Sequence, residues 1–346
     1  MMQTTVGMAV FGVGRAGQYH LTSMAAHPDV TVRWVVDVEG VRERAAQLCA
    51  QYGLQDTHFA PTDHWQCVLD DPQTVAVVVT TPTRFHEDIT KRALRAGKHV
   101  FCEKPISFTA EVVQSCYQEA EKHGRVLFCG FNKRFDEQHV KLRERVQAGQ
   151  LGSPRLVHYH WRDPKTSPDT VASYILPSGG IFCDSAIHQL DYVPWMLGET
   201  PSTVHAVGTR TSLLAGDYAK CGDVDSTIIT LGFPSGVHAI IEVSREMHND
   251  DLYFRIEVMG TKDTYLLHKV NRDTTSEVRM DGQKGETLIP LTIWSAYKHE
   301  MDCFVRVVQG KEECPVTAQE AIQASRLADL CLLSLNEDRV VIYEEI

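Results

Sequence analysis

Residues 6–17 read VGMAVFGVGRAG, and residues 30–37 read VTVRWVVD. Both segments contain runs of apolar and β-branched residues, which are typical of buried strands in a parallel sheet. A helical pattern that ends near Ala26 separates the two runs. The order of strand, glycine-rich turn, helix and strand predicts a βαβ unit at this point in the chain.

The glycine-rich turn has the form G-x-G-x-x-G, and Asp37 closes the second strand. We expect Gly12 to allow the tight turn, Gly14 to let the backbone approach a pyrophosphate, and Gly17 to let the helix pack closely on the strand. The following helix offers free N–H groups and a positive dipole to phosphate. Asp37 can accept hydrogen bonds from the ribose hydroxyls of NAD. The predicted cofactor-binding residues of this unit are Gly12, Val13, Gly14, Arg15, Ala16, Gly17 and Asp37.

Two alternatives stay open at this turn. A glycine-rich turn can occur without any ligand, and Arg42 and Arg44 follow Asp37 closely enough to serve the 2′-phosphate of NADP. We interpret the two arginines as part of a solvated helix face, and Asp37 would repel a 2′-phosphate. NAD is therefore the predicted cofactor, and NADP is the less favoured one.

The alternation of strands and helices continues along the chain. VAVVVTTPT (75–83) and KHVFCEKP (98–105) predict strands, and VRERAAQLCAQY (41–52) and HEDITKRALRAG (86–97) predict helices. This alternation is typical of a doubly wound parallel sheet, which binds ligands at the carboxyl ends of its strands. The residues expected there are Thr80, Thr81, Pro82, His86, Glu103 and Lys104. For the lysine, a surface pair with the adjacent glutamate is the alternative to a role beside the substrate.

Composition limits the possible classes of protein. Hydrophobic residues make up 43% and charged residues 23% of the chain, as in soluble globular proteins. The net charge of −11 and the lack of a basic run argue against nucleic acid as a partner. No apolar run has the length of a membrane span, and the first residues do not resemble a signal peptide. Ten cysteines without C-x-x-C spacing predict reduced thiols and a cytoplasmic location.

The stretch GGIFCDSAIHQLDYV (179–193) contains Asp184, His188 and Asp191 at spacings of four and three. On a helix, such residues share one face, and the apolar residues between them predict a packed helix. Polar groups on a packed helix need partners or a function. Three interpretations stay open, namely a structural network, a metal site and a catalytic acid/base pair. We predict no metal, because the two aspartates lie seven residues apart and no H-E-x-x-H motif accompanies them.

These motifs resemble those of the glucose–fructose oxidoreductase/inositol dehydrogenase (Gfo/Idh/MocA) family over nearly the whole chain. The resemblance lies in GVGRAG, TTPTRFHED (80–88), EKP (103–105), GFNKRFD (130–136) and GGIFCDSAIHQLDYVPWML (179–197). Together with WRDP (161–164), the last two are most similar to inositol 2-dehydrogenases. The resemblance implies an α/β protein with two domains. Residues 1–128 would form a Rossmann domain with a doubly wound parallel sheet. Residues 129–346 would form an α+β domain with a largely antiparallel open sheet.

The C-terminal half of the sequence agrees with this implied fold. From residue 155 onward we predict six strands, two of which join the next strand through short turns, in the pattern of a meander. Two helices, 294–309 and 318–335, close the chain, and Thr317 with Glu320 predicts a capping box. Family members commonly associate through the open face of this sheet, so we expect a homodimer or homotetramer.

The family's catalytic group maps onto Lys104, Asp184 and His188. His188 would be the general base that takes the proton of a secondary hydroxyl. Asp184 would orient the imidazole or hold a substrate hydroxyl, and Lys104 would stabilise the developing alkoxide. We expect Asp191 to be structural. The expected substrate contacts are Lys104, Asn132, Lys133, Asp163, Asp184, His188 and Tyr297, with salt bridges as the alternative for the weaker ones and core packing for the tyrosine.

The resemblance therefore implies an NAD-dependent dehydrogenase that oxidises a cyclitol, most simply myo-inositol to scyllo-inosose. The alternatives are a dehydrogenase of a pyranose sugar or of a dihydrodiol, and a non-catalytic sensor that binds a dinucleotide. Such a sensor would be expected to lose Lys104 or His188, and this sequence keeps both.

Overall fold

The computed structural model describes residues 5–165, 167–212, 214–247, 252–269, 275–280, 287–290 and 293–345. The chain forms two compact units. The first contains Met1–Phe135 and Trp294–Ile322, and the second contains Asp136–Ile293 and Gln323–Ile346. The single boundary expected after residue 128 stays a prediction, to which the structure adds that the chain returns to the first unit near its C-terminus.

The first unit is an alternation of strands and helices. The strands are β1 (Val6–Phe11), β2 (Val30–Asp37), β3 (His58–Pro61), β4 (Ala76–Val79), β5 (His99–Glu103) and β6 (Leu127–Gly130). The helices are α1 (Arg15–Ala26), α2 (Arg42–Gln51), α3 (Gln66–Asp70), α4 (His86–Arg95) and α5 (Ala110–Lys122). The strands pair in parallel in the order β3-β2-β1-β4-β5-β6. The predicted doubly wound parallel sheet is confirmed.

The strand order reverses between β1 and β4, and this topological switch point positions the ligand site of such folds. Every residue of β1 and β4 is buried, because helices cover both faces of the central strands. The carboxyl ends of these two strands deliver Gly12 and Thr80 to the same edge of the sheet.

The second unit begins with α6 (Glu137–Gln147). Its strands are β7 (Pro154–Pro164), β8 (Thr203–Thr209), β9 (Ser226–Gly232), β10 (His238–Met247), β11 (Tyr253–Gly260), β12 (Thr264–Lys269), β13 (Thr275–Met280), β14 (Thr287–Pro290) and β15 (Val341–Ile342). The helices between them are α7 (Pro168–Thr170), α8 (Ile187–Leu197) and α9 (Ala215–Lys220). The strand order is β14-β13-β12-β11-β7-β10-β9-β8-β15, and every pair except β7–β10 is antiparallel.

The largely antiparallel open sheet is therefore confirmed, but the simple meander is wrong at one point. Strand β7 lies between β10 and β11 and runs parallel to β10. A helical segment connects β7 to β8, which lies two strands beyond β10 in the sheet. The chain then returns through β9 to β10, and β10 pairs with β7. Strands β13, β14 and β15 were not predicted, since their sequences lack a run of alternating apolar residues.

Two long helices close the chain, α10 (Ile293–Val308) and α11 (Ala318–Glu337). In the first unit, Phe304 of α10 packs its ring against Phe101 and Phe128 at centroid distances of 5.6 Å. The capping box at α11 is confirmed. The amide of Glu320 donates to Thr317 Oγ1 at 3.2 Å, and the amide of Thr317 donates to Glu320 Oε2 at 2.9 Å.

The two faces of the second sheet differ. On β10, Ala239, Ile241 and Val243 are buried, while the residues between them are half-buried. The buried face is the inner face, on which Tyr159 of β7 and His139 of α6 meet, with Tyr159 Oη 3.0 Å from His139 Nε2. On the outer face, apolar side chains remain exposed. Among the described residues, no helix combines the length and apolar character that crossing a bilayer requires.

Candidate active site

The glycine-rich turn lies between β1 and α1, and its geometry explains each glycine. Gly12 has a φ of 89°, and a Cβ there would lie 3.0 Å from the carbonyl oxygen of Thr80. A Cβ on Gly17 would lie 2.0 Å from the carbonyl oxygen of Gly12, so only glycine lets the helix pack this closely. A Cβ on Gly14 would meet no atom of the described residues within 4 Å. Gly14 therefore faces open space, as a position beside a bound pyrophosphate requires.

Thr80 and Thr81 at the end of β4 have different environments. The Thr80 hydroxyl is within hydrogen-bond distance of the carbonyl oxygens of Phe11 (2.9 Å) and Gly12 (2.7 Å), so Thr80 holds the glycine-rich turn. The Oγ1 atom of Thr81 is buried and has no hydrogen-bond partner among the described residues. Such a buried polar atom is costly unless a ligand or water satisfies it. Thr81 is thus the better candidate of the two for a cofactor contact.

Asp37 ends β2 beside the same turn. Its Oδ2 accepts a hydrogen bond from the amide of Val13 at 2.8 Å, and its Oδ1 accepts one from the amide of Val38 at 2.7 Å. The carboxylate is therefore fixed at the carboxyl end of the strand. Arg42 forms an ion pair with Glu39, with Nε 2.6 Å from Oε1, and is already neutralised there. This pairing agrees with the interpretation of the arginine as part of a solvated helix face.

The Glu103-Lys104-Pro105 segment begins at the last residue of β5, and the peptide bond between Lys104 and Pro105 is cis. Glu103 is buried, and its Oε1 lies 2.7 Å from Nε2 of His20. Burial alone would raise the pKa of Glu103, but the hydrogen bond to His20 and the nearby positive charge of Lys104 hold that pKa below its ordinary value. Lys104 itself is half-buried.

His86 begins α4 and joins two of the loops at this edge. Its Nδ1 lies 2.8 Å from the carbonyl oxygen of Pro105, and its Nε2 lies 2.6 Å from the carbonyl oxygen of Thr81. Burial lowers the pKa of His86. The side chain therefore braces the lysine segment against the end of β4, which is a positioning arrangement.

Three further predicted contact residues belong to the first unit. Asn132 begins a 3₁₀ turn after β6, and its Oδ1 is buried with no donor in the part of the chain that the structure describes. Lys133 follows it and is half-buried. Tyr297 of α10 packs against Tyr19 at a ring distance of 5.0 Å and against His20 at 5.1 Å. These ring contacts favour the packing alternative for the tyrosine.

In the second unit, the Asp184 segment departs from the predicted regular helix. Gly179 and Gly180 turn the chain with φ values of 87° and 86°. Phe182–Ala186 then form a π-helix, and α8 follows directly. Asp184 and His188 thus span a wide turn, where side-chain spacing differs from that of an α-helix. Single π turns occur frequently at functional sites.

Asp184 is contacted by Tyr174 and Arg245. The hydroxyl of Tyr174 donates to its Oδ1 at 2.9 Å, and Nη2 of Arg245 lies 3.4 Å from its Oδ2. Arg245 also approaches Asp223, with Nη1 2.5 Å from Oδ2. Asp184 is 9% exposed. His188, the predicted base, is half-buried. Tyr174, Asp223 and Arg245 were not singled out from the sequence.

One feature of the sequence could have identified Arg245. Within β10, the buried positions alternate as Ala239, Ile241 and Val243, and the next residue in that phase is Arg245. A charged residue in phase with buried apolar ones is rare unless it is paired. Tyr174 lies in a short π-helix (Val171–Ile175) and Asp223 lies between helices and strands, and no comparable alternation of buried residues marks either of them.

Two other aspartates of this unit were assigned different roles. Asp163 of β7 is in phase with the buried Tyr159, so it lies on the inner face of the sheet, and its Oδ1 accepts a hydrogen bond from Trp161 Nε1 at 3.1 Å. Asp191 is 3% exposed within α8, as a structural residue would be. Among the described residues, no group of three or more His, Cys, Asp or Glu side chains is arranged to hold a metal ion.

Comparison with known proteins decides the family. The model of the oxidoreductase family with an NAD-binding Rossmann fold matches residues 6–131, and the model of the GFO/IDH/MocA C-terminal domain matches residues 139–266. This protein belongs to the Gfo/Idh/MocA family. The resemblance found in the motifs is thereby confirmed.

Relatives of this Gfo/Idh/MocA protein extend over almost its full length. Inositol 2-dehydrogenase of Rhizobium meliloti is 32% identical over 344 residues, which cover 97% of this chain and 99% of that protein. Myo-inositol 2-dehydrogenase of Thermotoga maritima is 31% identical, with 98% and 99% covered. The crystal structure of a putative myo-inositol dehydrogenase from Sinorhizobium meliloti has a TM-score of 0.84, with 31% identity and coverage of 98% of this chain and 100% of that chain.

Membership of the family establishes the broad activity. The protein is an NAD-dependent oxidoreductase of the inositol dehydrogenase type, which acts on CH–OH groups. The first unit fits the cofactor, because the open space at Gly14 and the unsatisfied hydroxyl of Thr81 lie at the edge where such sheets bind dinucleotides. The similarity to named dehydrogenases confirms the prediction of an enzyme.

Proposed function

We propose that this enzyme oxidises a secondary hydroxyl of a cyclitol, and that its substrate is myo-inositol, which becomes scyllo-inosose. The observation that carries the proposal is the near full-length similarity to proteins named inositol 2-dehydrogenase. Asp163 on the inner face of the second sheet supports it, together with Tyr174, Asp184, Asp223 and Arg245, here called the Asp184 cluster. These residues offer several polar groups to a polyhydroxylated ring. Discrimination between stereoisomers of an inositol requires many such contacts.

NAD supplies the hydride acceptor when it is bound. The residues that would hold it are the turn residues Gly12, Val13, Gly14, Arg15, Ala16 and Gly17, with Asp37, Thr80, Thr81, Pro82, His86, Glu103 and Lys104. Within this set, Asp37 would bind the ribose hydroxyls. Thr80 and His86 act through the backbone segments that they brace, as their hydrogen bonds support.

His188 acts as the general base and takes the proton of the hydroxyl that is oxidised. A neutral imidazole suits this role near neutral pH. Asp184, which precedes it across the π turn, carries a negative charge that stabilises the imidazolium formed at His188. Lys104 stabilises the alkoxide that develops on the substrate, because a cation is most effective where negative charge appears in the transition state.

Four further residues are proposed to contact the substrate, namely Asn132, Lys133, Asp163 and Tyr297. Asp163 lies on the inner face of the second sheet, and the buried Oδ1 of Asn132 lacks a donor among the described residues, so both have hydrogen-bonding capacity for hydroxyl groups. Lys133 offers a half-buried ammonium group. Tyr297 would contribute only the part of its ring that aromatic packing leaves accessible.

The test is an absorbance assay for NADH with the purified full-length protein. NAD or NADP would be combined with a panel of inositol isomers, pyranose sugars and dihydrodiols. We expect turnover of myo-inositol with NAD and much slower turnover with NADP. Turnover restricted to a pyranose or a dihydrodiol would overturn the proposed substrate while leaving the enzyme class intact.

A further inference from the structure

A buried arginine lies on the inner face of the second sheet, in phase with three apolar residues of its strand. Arg245 is 2% exposed and continues the phase of Ala239, Ile241 and Val243 along β10. Removing a guanidinium from water is costly, and charged residues persist in such places only when they are paired. The general requirements of the fold would be met by another apolar residue at this position. The arginine therefore needs a specific explanation.

The arginine lies between two buried carboxylates. Its Nη1 is 2.5 Å from Asp223 Oδ2, and its Nη2 is 3.4 Å from Asp184 Oδ2. Asp223 is itself fixed, because its Oδ1 accepts a hydrogen bond from the amide of Ile181 at 2.9 Å. The shorter contact, with Asp223, fixes the position of the guanidinium. The longer contact joins the guanidinium to Asp184. The contact with Asp223 also ties the arginine to the backbone that enters the π-helix.

Tyr174 contacts the other carboxylate oxygen of Asp184. Its hydroxyl donates to Asp184 Oδ1, and its side chain is 46% exposed. The two carboxylate oxygens are therefore distinguished, with Oδ2 facing the buried guanidinium and Oδ1 facing a partly exposed phenol. Asp184 is oriented as well as charged.

We propose that Arg245 is a positioning residue, which keeps Asp184 ionised and correctly aimed so that His188 can accept the substrate proton. This inference deepens the proposed function and rests on it. Without the guanidinium, Asp184 and Asp223 would lose the buried cation that contacts both of them. Like charges in such a site force one carboxylate to take up a proton. A protonated Asp184 cannot stabilise an imidazolium at His188.

Other titratable groups of the described residues near this cluster include Tyr218, Glu246, Asp225 and Lys165. Tyr218 of α9 is buried, and its hydroxyl is 3.4 Å from Glu246 Oε1 on β10. A tyrosine is neutral below about pH 10, so Tyr218 leaves the charge balance unchanged in the working range. Burial raises the pKa of Glu246, which makes it a weaker source of charge. On α8, His188 is the group whose protonation Asp184 supports.

The first experiment compares Arg245→Met with a matched control, Arg339→Met. Arg339 also bridges two carboxylates in the second unit, Glu337 and Glu345, but at the surface. For Arg245→Met we expect kcat/KM at pH 7 to fall roughly 10- to 100-fold, by analogy with the loss of a hydrogen-bond partner that orients a ligand of a metal site. We expect the acid limb of the pH profile to move to higher pH, because the loss of an adjacent cation favours the protonated form of a carboxyl group.

Activity of Arg245→Met should therefore recover in part as the pH rises, while NAD affinity stays unchanged. Arg339→Met should match the unaltered enzyme in both respects. A purely structural arginine would instead reduce activity by the same factor at every pH. An acid limb that stays in place, in a folded variant that still binds NAD, would overturn the proposal.

Two further variants and a second measurement keep the test decisive even if Arg245→Met fails to fold. Asp223→Asn keeps Arg245 with Asp184 as its carboxylate partner, so we expect no upward shift of the acid limb. Arg245→Lys keeps a cation and should shift the limb less than methionine does. The carboxyl carbon of Asp184, labelled with ¹³C and assigned with Asp184→Asn, can be titrated by NMR in the unaltered protein and in Arg245→Lys.

The NMR titration separates the two proposals. If the carboxyl of Asp184 titrates at higher pH in Arg245→Lys but no cyclitol is turned over by the unaltered enzyme, the proposed substrate fails and the role of Arg245 stands. If cyclitol is turned over and the titration of Asp184 is unaltered in Arg245→Lys, the role of Arg245 fails and the proposed function stands.

Discussion

The glycine-rich turn of the first unit and the Asp184 cluster of the second unit place polar groups at the end of an apolar sheet by different means. At the turn, the glycines leave room for a ligand, and the side chains of Asp37 and Thr80 hold the backbone. At Asp184, buried side chains hold one another, and the charge of Arg245 is the central element. The glycine-rich turn depends on residues that have no side chain. The Asp184 cluster depends on the balance between buried positive and negative charges.

This difference determines how each site can fail. A backbone site fails through steric overlap, because any Cβ occupies space that the chain or the ligand needs. A charge network fails through protonation, because an unpaired buried carboxylate becomes neutral. Binding of the cofactor and proton transfer from the substrate should therefore respond to different kinds of substitution, and this separation can be tested.

The largest expected effect is on turnover in His188→Ala. Removing a general base typically costs about 10²- to 10⁴-fold in rate. We expect kcat to fall by that factor while the Kd for NAD, measured by calorimetry, stays within about twofold. The contrary result would be weaker NAD binding together with a normal kcat at saturating NAD. That result would show that His188 binds the cofactor and does not act as the base.

A second prediction sharpens the account of the turn by comparing two glycines. In Gly17→Ala, the new Cβ overlaps the carbonyl oxygen of Gly12, so we expect a loss of about 1–3 kcal/mol in the free energy of unfolding. In Gly14→Ala, the Cβ enters open space in the protein, so the free energy of unfolding should hardly change. NAD affinity should nevertheless fall about tenfold or more, roughly 1.4 kcal/mol. Equal destabilisation of the two variants would contradict these separate roles.

The sequence predicts the first unit well because its determinants are local. The strand, turn, helix, strand and acid follow one another within residues 6–37, and the observed β1, α1 and β2 reproduce that order. Most of the second sheet was also predicted from alternating apolar residues. The position of β7 between β10 and β11 was missed, because the pairing of distant strands is a property of the whole chain and leaves no local pattern.

The predicted site divides in the same way. The roles of Gly12, Gly14 and Gly17 follow from their spacing, and their geometry agrees with those roles. Arg245 lies 61 residues from Asp184 along the chain, and only folding brings the two together. The π turn at Phe182–Ala186 was also unpredicted, since the apolar periodicity of a short segment does not separate a π turn from an α-helix. Residue types can be recognised in a sequence, but their partners across a fold cannot.

A third prediction concerns the one charge at the backbone site. Asp37→Asn keeps an oxygen that can accept the hydrogen bond of the Val13 amide but removes the repulsion of a 2′-phosphate. We expect the ratio of kcat/KM for NAD to that for NADP to fall roughly tenfold or more, because like-charge repulsion in a binding site costs at least about 1.4 kcal/mol. Asp37→Ala loses the hydrogen bond as well and should weaken NAD binding further. An unchanged cofactor preference in both variants would remove Asp37 from the ribose site.

The smallest effect on activity is expected on the outer face of the second sheet, which carries no part of either site. Ile228 is 48% exposed and Val207 is 39% exposed there, and we expect this face to join subunits into a homodimer or homotetramer. In Ile228→Glu, a charge would be buried without a partner at that interface, so light scattering should show a shift towards smaller species. Turnover per chain should stay within about twofold, as for surface changes away from a site.

Val340→Glu, at an exposed position outside β8 and β9, is the control that should leave the mass unchanged. A mass that is unaltered in Ile228→Glu would show that association uses another surface, and a large loss of turnover would show that the outer face and the Asp184 cluster are coupled through the sheet.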